Sequence, residues 1–301
     1  MEYIGGLKEG QTLGIIAPSG PLIEYELSEI KSVLNKLGYE VKFGDSCKKP
    51  YKGYLADTDE NRAKDIEKMF LDKDIDVVIC IRGGYGCSRI LDKINYKIIK
   101  DNPKIFIGYS DITALHIIIN QRCNLITYHG PMAGSSPKWD TLTYTSLKEV
   151  TNIKYDYKMK NLENMNTLIK GRASGKLTGG NLSLIVSSLG TEYEIDTKDK
   201  ILFIEEIGEY QYKLDRMFTQ LDLSGKLKDC KGFIFGNFKN CNKTRENEPD
   251  LEEIILDIFG KYQRPILTNL KSGHCLPTLT LPMGMMCEID TSKDYIYFTN
   301  I

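Results

Sequence analysis

The chain has 301 residues, 41% of them hydrophobic, with 40 basic and 41 acidic side chains and a formal net charge of −1. That length predicts two domains of about 150 residues each, either able to bury its own core. A near-neutral balance without any local basic block removes the electrostatic case for a nucleic-acid or membrane partner, and no apolar run approaches the ~20 residues that span a bilayer.

The N-terminal segment Met1-Glu2-Tyr3-Ile4-Gly5-Gly6 lacks a charged region followed by an apolar one, so a cytoplasmic location is expected. Taken in order, Thr12 to Ala17 reads as a buried strand ending in the turn Pro18-Ser19-Gly20-Pro21. Ile23, Leu27, Ile30, Leu34 and Leu37 then form a helical stripe that stops at Gly38. Tyr39, Val41 and Phe43 alternate as a strand, and Asp57 with Glu60 frames a capping box for a helix carrying Ala63, Ile66 and Phe70. Val77 to Ile81 is a fully apolar strand leading into Arg82-Gly83-Gly84-Tyr85-Gly86, and the apolar run after Lys104, reaching Gly108, is another, leading into Tyr109-Ser110-Asp111. Helical spacing resumes through Ile112, Leu115, Ile118 and Ile119, and Leu125 to Tyr128 is strand-like. Such repeated units predict an α/β fold whose N-terminal domain, residues 1–135, is a flavodoxin-like parallel sheet covered on both faces. Residues 136–170, polar and weakly periodic, are expected to connect it to a smaller, β-rich α/β domain over 171–301. That second domain includes strands at Ile201–Ile204, Gly232–Gly236, Met286–Ile289 and Tyr295–Phe298, and helices carrying Leu214 to Leu221 and Leu251 to Ile258.

Ser110 sits at a strand-to-helix corner, where a hydroxyl projects from the sheet edge above unpaired helical N–H groups; this suits a nucleophile that must form an oxyanion. The motif alone leaves an N-capping role open, because Ile112 stands where a nucleophile elbow has its second glycine. The glycine turn fails as a dinucleotide site, since Arg89 occupies the place of the third glycine and no Gly-Lys-Ser/Thr is present. It could aim a backbone N–H, at Gly84, toward an oxyanion also held by the Asp111 N–H, or it could merely let strand and helix approach. The eight cysteines lack Cys-x-x-Cys pairing and read as reduced thiols. The three histidines lack metal-ligand spacing, so no metal is expected. Of these, His116 lies amid Leu115, Ile117 and Ile118 as a core residue, His129 ends a strand where it could line a pocket, and His274 lies in a Gly/Pro loop suited to a catalytic base. A carboxylate to orient that base is available at Glu205, at the end of a buried strand, while Glu206, Glu209 and Asp215 read as solvated.

Gly14-Ile15-Ile16-Ala17-Pro18-Ser19, Arg82-Gly83-Gly84-Tyr85-Gly86, Ile107-Gly108-Tyr109-Ser110-Asp111, His129-Gly130-Pro131-Met132, Gly179-Gly180-Asn181-Leu182, Ile204-Glu205-Glu206 and Gly273-His274, in this order, resemble the LD-carboxypeptidase family of serine peptidases. The resemblance implies a Ser-Glu-His triad on Ser110, Glu205 and His274, with the serine on the first domain, its partners on the second and the site in the cleft between them. It implies release of the terminal D-alanine from muropeptide tetrapeptides by cleavage of an L,D bond during cell-wall recycling, without metal or cofactor, by a homodimer. Arg82, Tyr85 and His129 are the candidate substrate contacts, with a purely structural ion-pair role for Arg82 equally open. Where members carry Glu-Asp after the buried strand, this chain has Glu205-Glu206. A related branch that confers immunity to peptidyl-nucleotide antibiotics is the alternative; its members tend to carry an aromatic-bearing insertion, whereas the single tryptophan here, Trp139, lies outside the second domain. A non-catalytic nucleotide or muropeptide binding module is a third reading, disfavoured by the three triad residues together.

Overall fold

A computed structural model of the chain describes residues 4–48, 50–160, 162, 165–293 and 295–299. The reading of Met1, Glu2 and Tyr3, and the part of the polar connection at Asn161, Glu163 and Asn164, lie outside the described residues. The chain divides into two compact units, Met1–Lys154 with Leu276–Met283, and Tyr155–Cys275 with Gly284–Ile301.

The first unit contains β1 (Thr12–Ile16), α1 (Leu27–Lys36), β2 (Glu40–Phe43), α2 (Asp59–Leu71), β3 (Val77–Cys80), α3 (Tyr96–Asp101), β4 (Ile105–Gly108), α4 (Thr113–Ile118), β5 (Thr127–His129) and α5 (Thr141–Thr151). Its six-stranded sheet runs in the order Leu281–Met283, β5, β4, β3, β1, β2. All neighbours are parallel except Leu281–Met283, which runs antiparallel to β5. Every residue of β3 and β4 is buried, as the unbroken apolar runs require of strands covered on both faces. Because β1, β3 and β4 are adjacent, the turns after them share the carboxyl edge of the sheet, the usual place for ligands in such folds.

Several boundaries differ from the sequence expectation. Helix α1 begins only at Leu27, leaving Ile23 68% exposed ahead of it. Helix α2 is capped one residue later than expected, by Thr58, whose hydroxyl accepts from Asn61 N at 3.3 Å; Asp57 instead accepts from Thr58 N at 2.7 Å. The largest difference concerns residues 136–170. Asp140 caps α5 by accepting from Thr143 N at 2.7 Å, and the helix belongs to the first unit. Its buried face carries Thr143 and Ser146 beside Leu147 and Val150, and these hydroxyls accept from Thr278 N and Thr280 N, each at 3.0 Å. Polar side chains used for a distant backbone erased the apolar period that would have marked the helix, and the same bonds hold residues 276–283 in the first unit.

The second unit contains β6 (Asp156–Lys158), β7 (Asn166–Ile169), β8 (Arg172–Asn181), α6 (Leu182–Ser187), β9 (Lys200–Ile207), α7 (Gln211–Leu223), β10 (Gly232–Lys239), α8 (Leu251–Phe259) and β11 (Ile266–Thr268). With Leu281–Met283 counted as β12, the last strands are β13 (Met286–Asp290) and β14 (Tyr295–Thr299). The eight-stranded sheet runs β6, β14, β13, β8, β9, β10, β11, β7, with β8 to β11 parallel and the flanking strands antiparallel. Phe218 of α7, Phe235 of β10 and Phe259 of α8 meet edge to face, with centroids 5.0 to 5.9 Å apart. They pin both helices to the strand neighbouring β9. All eight cysteines are free thiols. Among the described residues no helix is long and apolar enough to cross a membrane.

Candidate active site

In the first unit Ser110 follows β4 with φ of +65°, a left-handed conformation that costs a residue other than glycine about 1–3 kcal/mol. It opens a single 3-10 turn, Ser110–Ile112, ahead of α4. The capping positions of these two segments are Tyr109 and Ile112, without side-chain capping bonds, so the N-cap role does not describe Ser110. The glycine turn after β3 lies against the hydroxyl: a Cβ on Gly83 would fall 2.9 Å from Ser110 Cβ and 3.0 Å from its Oγ. Only a residue without a side chain allows that approach. Gly84 follows with φ of +115°, and Gly20 N donates to the Gly83 carbonyl at 3.1 Å, joining the turn after β1 to the one after β3. Asp111 is buried, and burial pushes its carboxyl above the usual range against the lowering pull of Ser19, Cys87 and Arg62.

The residues expected to contact substrate diverge. Arg82, whose Nη1 donates to the Pro21 carbonyl at 2.9 Å, lines a cavity of about 210 Å³ together with Leu22, Ile23, Glu24, Tyr109 and Met132. Tyr85 is 50% exposed and leans on Tyr54, ring centroids 5.9 Å apart. His129 departs from its expected pocket position: it is 1% exposed, paired to Gly108 of β4 on one side and to Leu281 on the other, with the Tyr109 ring 5.8 Å away. The strand β12, not expected from the sequence at this edge, is its antiparallel neighbour. His116 is a core residue, its Nε2 2.8 Å from the Gly108 carbonyl, and burial pulls its pKa down to about 4.

In the second unit Glu205 lies at the carboxyl end of β9 with no solvent exposure, and its Oε2 is 2.7 Å from His274 Nδ1. Gly273, with φ of +112°, makes this possible, because a Cβ there would fall 2.6 Å from that same Oε2. A carboxylate partner requires the proton on Nδ1, which places the lone pair of the neutral ring on Nε2, ready to accept a proton. Among the described residues Glu205 Oε1 has no hydrogen-bond partner. Glu206 is buried instead of solvated as expected. Its Oε1 accepts from Asn181 Nδ2 at 2.9 Å and from Ile207 N at 2.8 Å, and its Oε2 accepts from Ser183 N at 2.8 Å and Ser183 Oγ at 2.7 Å. Alternation along β9 sends the two carboxylates to opposite faces, one to the histidine and one to the start of α6. Among the described residues no group of histidine, cysteine and acidic side chains is arranged to hold a metal ion.

Sequence reasoning missed Arg62, which is fully buried in α2. Its position with Ile66 and Met69, at i, i+4 and i+7, places it on the apolar face of the helix, and that was the available signal.

Comparison with known proteins matches residues 13–130 to the LD-carboxypeptidase N-terminal domain and residues 174–289 to the LD-carboxypeptidase C-terminal domain. The chain is 40% identical over 294 residues to a probable murein peptide carboxypeptidase of Bacillus subtilis strain 168, covering 95% of this chain and 91% of that protein. Among solved structures, the muramoyltetrapeptide carboxypeptidase of Oxalobacter formigenes superposes with a TM-score of 0.83 at 26% identity, covering 96% of this chain and 98% of that one. The microcin C7 self-immunity protein MccF, in the apo state of an inactive mutant, superposes with a TM-score of 0.90 at 25% identity, covering 99% and 98%.

Proposed function

Because this chain belongs to the LD-carboxypeptidase family, we propose that it is a serine carboxypeptidase that releases the terminal D-alanine from muropeptide tetrapeptides in cell-wall recycling. Ser110 Oγ attacks the carbonyl of the L,D bond while His274 Nε2 takes its proton and Glu205 holds the imidazolium. The tetrahedral oxyanion is received by the backbone N–H groups of Asp111 and Gly84. Collapse expels D-alanine, whose amine takes the proton from His274. Water then attacks the acyl-enzyme with His274 as base, releasing the tripeptide and restoring Ser110. The observation that carries this reading is the fully buried Glu205 bonded to His274, since a carboxylate without solvent is costly unless it has such a partner. Incubation with synthetic muropeptides of different length and stereochemistry, with products identified by mass spectrometry, tests it. Tetrapeptide should yield tripeptide and D-alanine, and efficient cleavage of an all-L tetrapeptide would overturn the assignment.

The terminal carboxylate of such a substrate needs a donor near the scissile bond, and Arg82, beside Gly83 in sequence and lining the small cavity with Tyr109, supports that role. Amidation of the substrate should lower kcat/KM by about 2–4 kcal/mol, roughly 30- to 900-fold. Equal rates on acid and amide would remove Arg82 from this role. For the oxyanion hole, Gly84→Ala should lower kcat by about 10²-fold with little change in KM, because alanine resists the +115° φ that sets the turn. Loss of the thermal transition with unchanged kcat in the folded fraction would show a packing role instead.

Similarity to the self-immunity protein supports the second reading, hydrolysis of peptidyl-nucleotide antibiotics. A peptidyl-nucleotide in the same assay separates the two, because the carboxypeptidase reading expects turnover of the muropeptide alone.

A further inference from the structure

Two buried ions of opposite charge join the same pair of turns in the first unit. Asp111, 1% exposed, accepts from Ser19 Oγ at 2.6 Å and from Cys87 N at 2.8 Å through a single oxygen, Oδ2. Arg62 donates through Nη1 to the Gly86 carbonyl at 2.9 Å and to the Pro18 carbonyl, and through Nε to the Asp57 carbonyl at 3.2 Å. Its Nη2 pairs with Asp59, which Arg89 engages from the surface. The anion thus collects donors from Ser19 and Cys87 while the cation collects carbonyls from Pro18 and Gly86, the residues next to them in each turn. Burying two charges is a poor route to stability by itself, and a fork of fixed donors paired with a carboxylate acceptor is well suited to setting geometry. Asp111 directly follows Ser110, so its side chain anchors the peptide unit between them. Strained backbone persists only where its surroundings over-determine it.

We propose that Asp111 and Arg62 are positioning residues that lock the strained Ser110 corner to the turns after β1 and β3, so that the serine hydroxyl and the backbone donors of both turns stay in reacting geometry. This rests on the reading of Ser110 as nucleophile, and its test uses a probe that needs no knowledge of the peptide substrate. The full chain and its variants are exposed to a fluorophosphonate, labelling of Ser110 is timed by intact mass, and thermal unfolding is followed by circular dichroism. Wild type should label. Asp111→Asn keeps an oxygen able to accept from both donors and should label within about fivefold of wild type, whereas Asp111→Ala should label about 10²-fold more slowly while folded. Ser19→Ala, which removes one donor and leaves both charges in place, should be about tenfold slower, and combining it with Asp111→Ala should cost less than the product of the two effects. Arg62→Lys retains charge without the fork and should likewise slow labelling by about tenfold.

Asp111→Ala labelled at the wild-type rate overturns this proposal while leaving the nucleophile in place, as does a lowered melting temperature with undiminished labelling of the folded fraction. Wild type that takes up no label at Ser110 overturns the nucleophile reading and this one with it. If Asp111→Ala fails to fold, Ser19→Ala decides: a rate equal to wild type overturns the proposal.

Discussion

Replacing Ser110 by alanine is expected to remove nearly all turnover, by a factor on the order of 10⁶, and His274→Ala should do the same. The two effects should not multiply. A nucleophile without its base and a base without its nucleophile are equally unable to form the acyl-enzyme, so the double variant should be no slower than either single one. Steady-state release of D-alanine from a tetrapeptide, followed by mass spectrometry, measures all three. Neither substitution should unfold the protein: Ser110 is only half-buried, and alanine relieves none of the +65° strain but leaves the Asp111 anchors intact. A Ser110→Ala variant with substantial turnover would exclude covalent catalysis at this residue.

Glu205→Gln is expected to cost on the order of 10⁴ in kcat, less than the loss of nucleophile or base. The amide can still meet His274 but no longer favours the proton on Nδ1, so the ring takes the wrong tautomer and the imidazolium goes unstabilised. Glu206→Gln should behave differently. It weakens the bonds to Ser183, Asn181 and the backbone at the start of α6, so its effect should appear in the melting temperature, with kcat of the folded enzyme nearly unchanged. Full activity in Glu205→Gln beside a dead Glu206→Gln would move the orienting role by one residue. Measuring kcat and thermal unfolding on both variants settles which carboxylate works with the histidine.

Much of the fold could be read from local spacing. The apolar runs of β3 and β4, the helical stripe of α2, and the corners where glycine turns meet helices each depend on residues a few positions apart, and the chain itself determines such patterns. The positions of Ser110, Glu205 and His274 on a corner, a strand end and a loop were legible for that reason. Residue type and local context suggested their chemistry before any contact was visible.

What only the tertiary structure decided are pairings between distant segments, on which spacing is silent. The sequence singles out Glu205 but does not reveal the burial of Glu206; strand alternation sends Glu205 to a histidine 69 residues away and Glu206 to the start of α6. His129 ended a strand as expected, but it is buried, and its antiparallel pairing partner Leu281 of β12 lies more than 150 residues later. Helix α5 escaped notice because Thr143 and Ser146 spend their buried positions on the backbone of Thr278 and Thr280. Arg62 and Asp111 are each buried because the carbonyls or donors that satisfy them come from turns brought together at one sheet edge. The sequence alone determined which local elements form and which chemical groups they carry, because those depend on short-range sterics and periodic burial. Partnership, exposure and the identity of the buried charges depended on strand order, because a buried polar group is placed by whatever distant group can satisfy it.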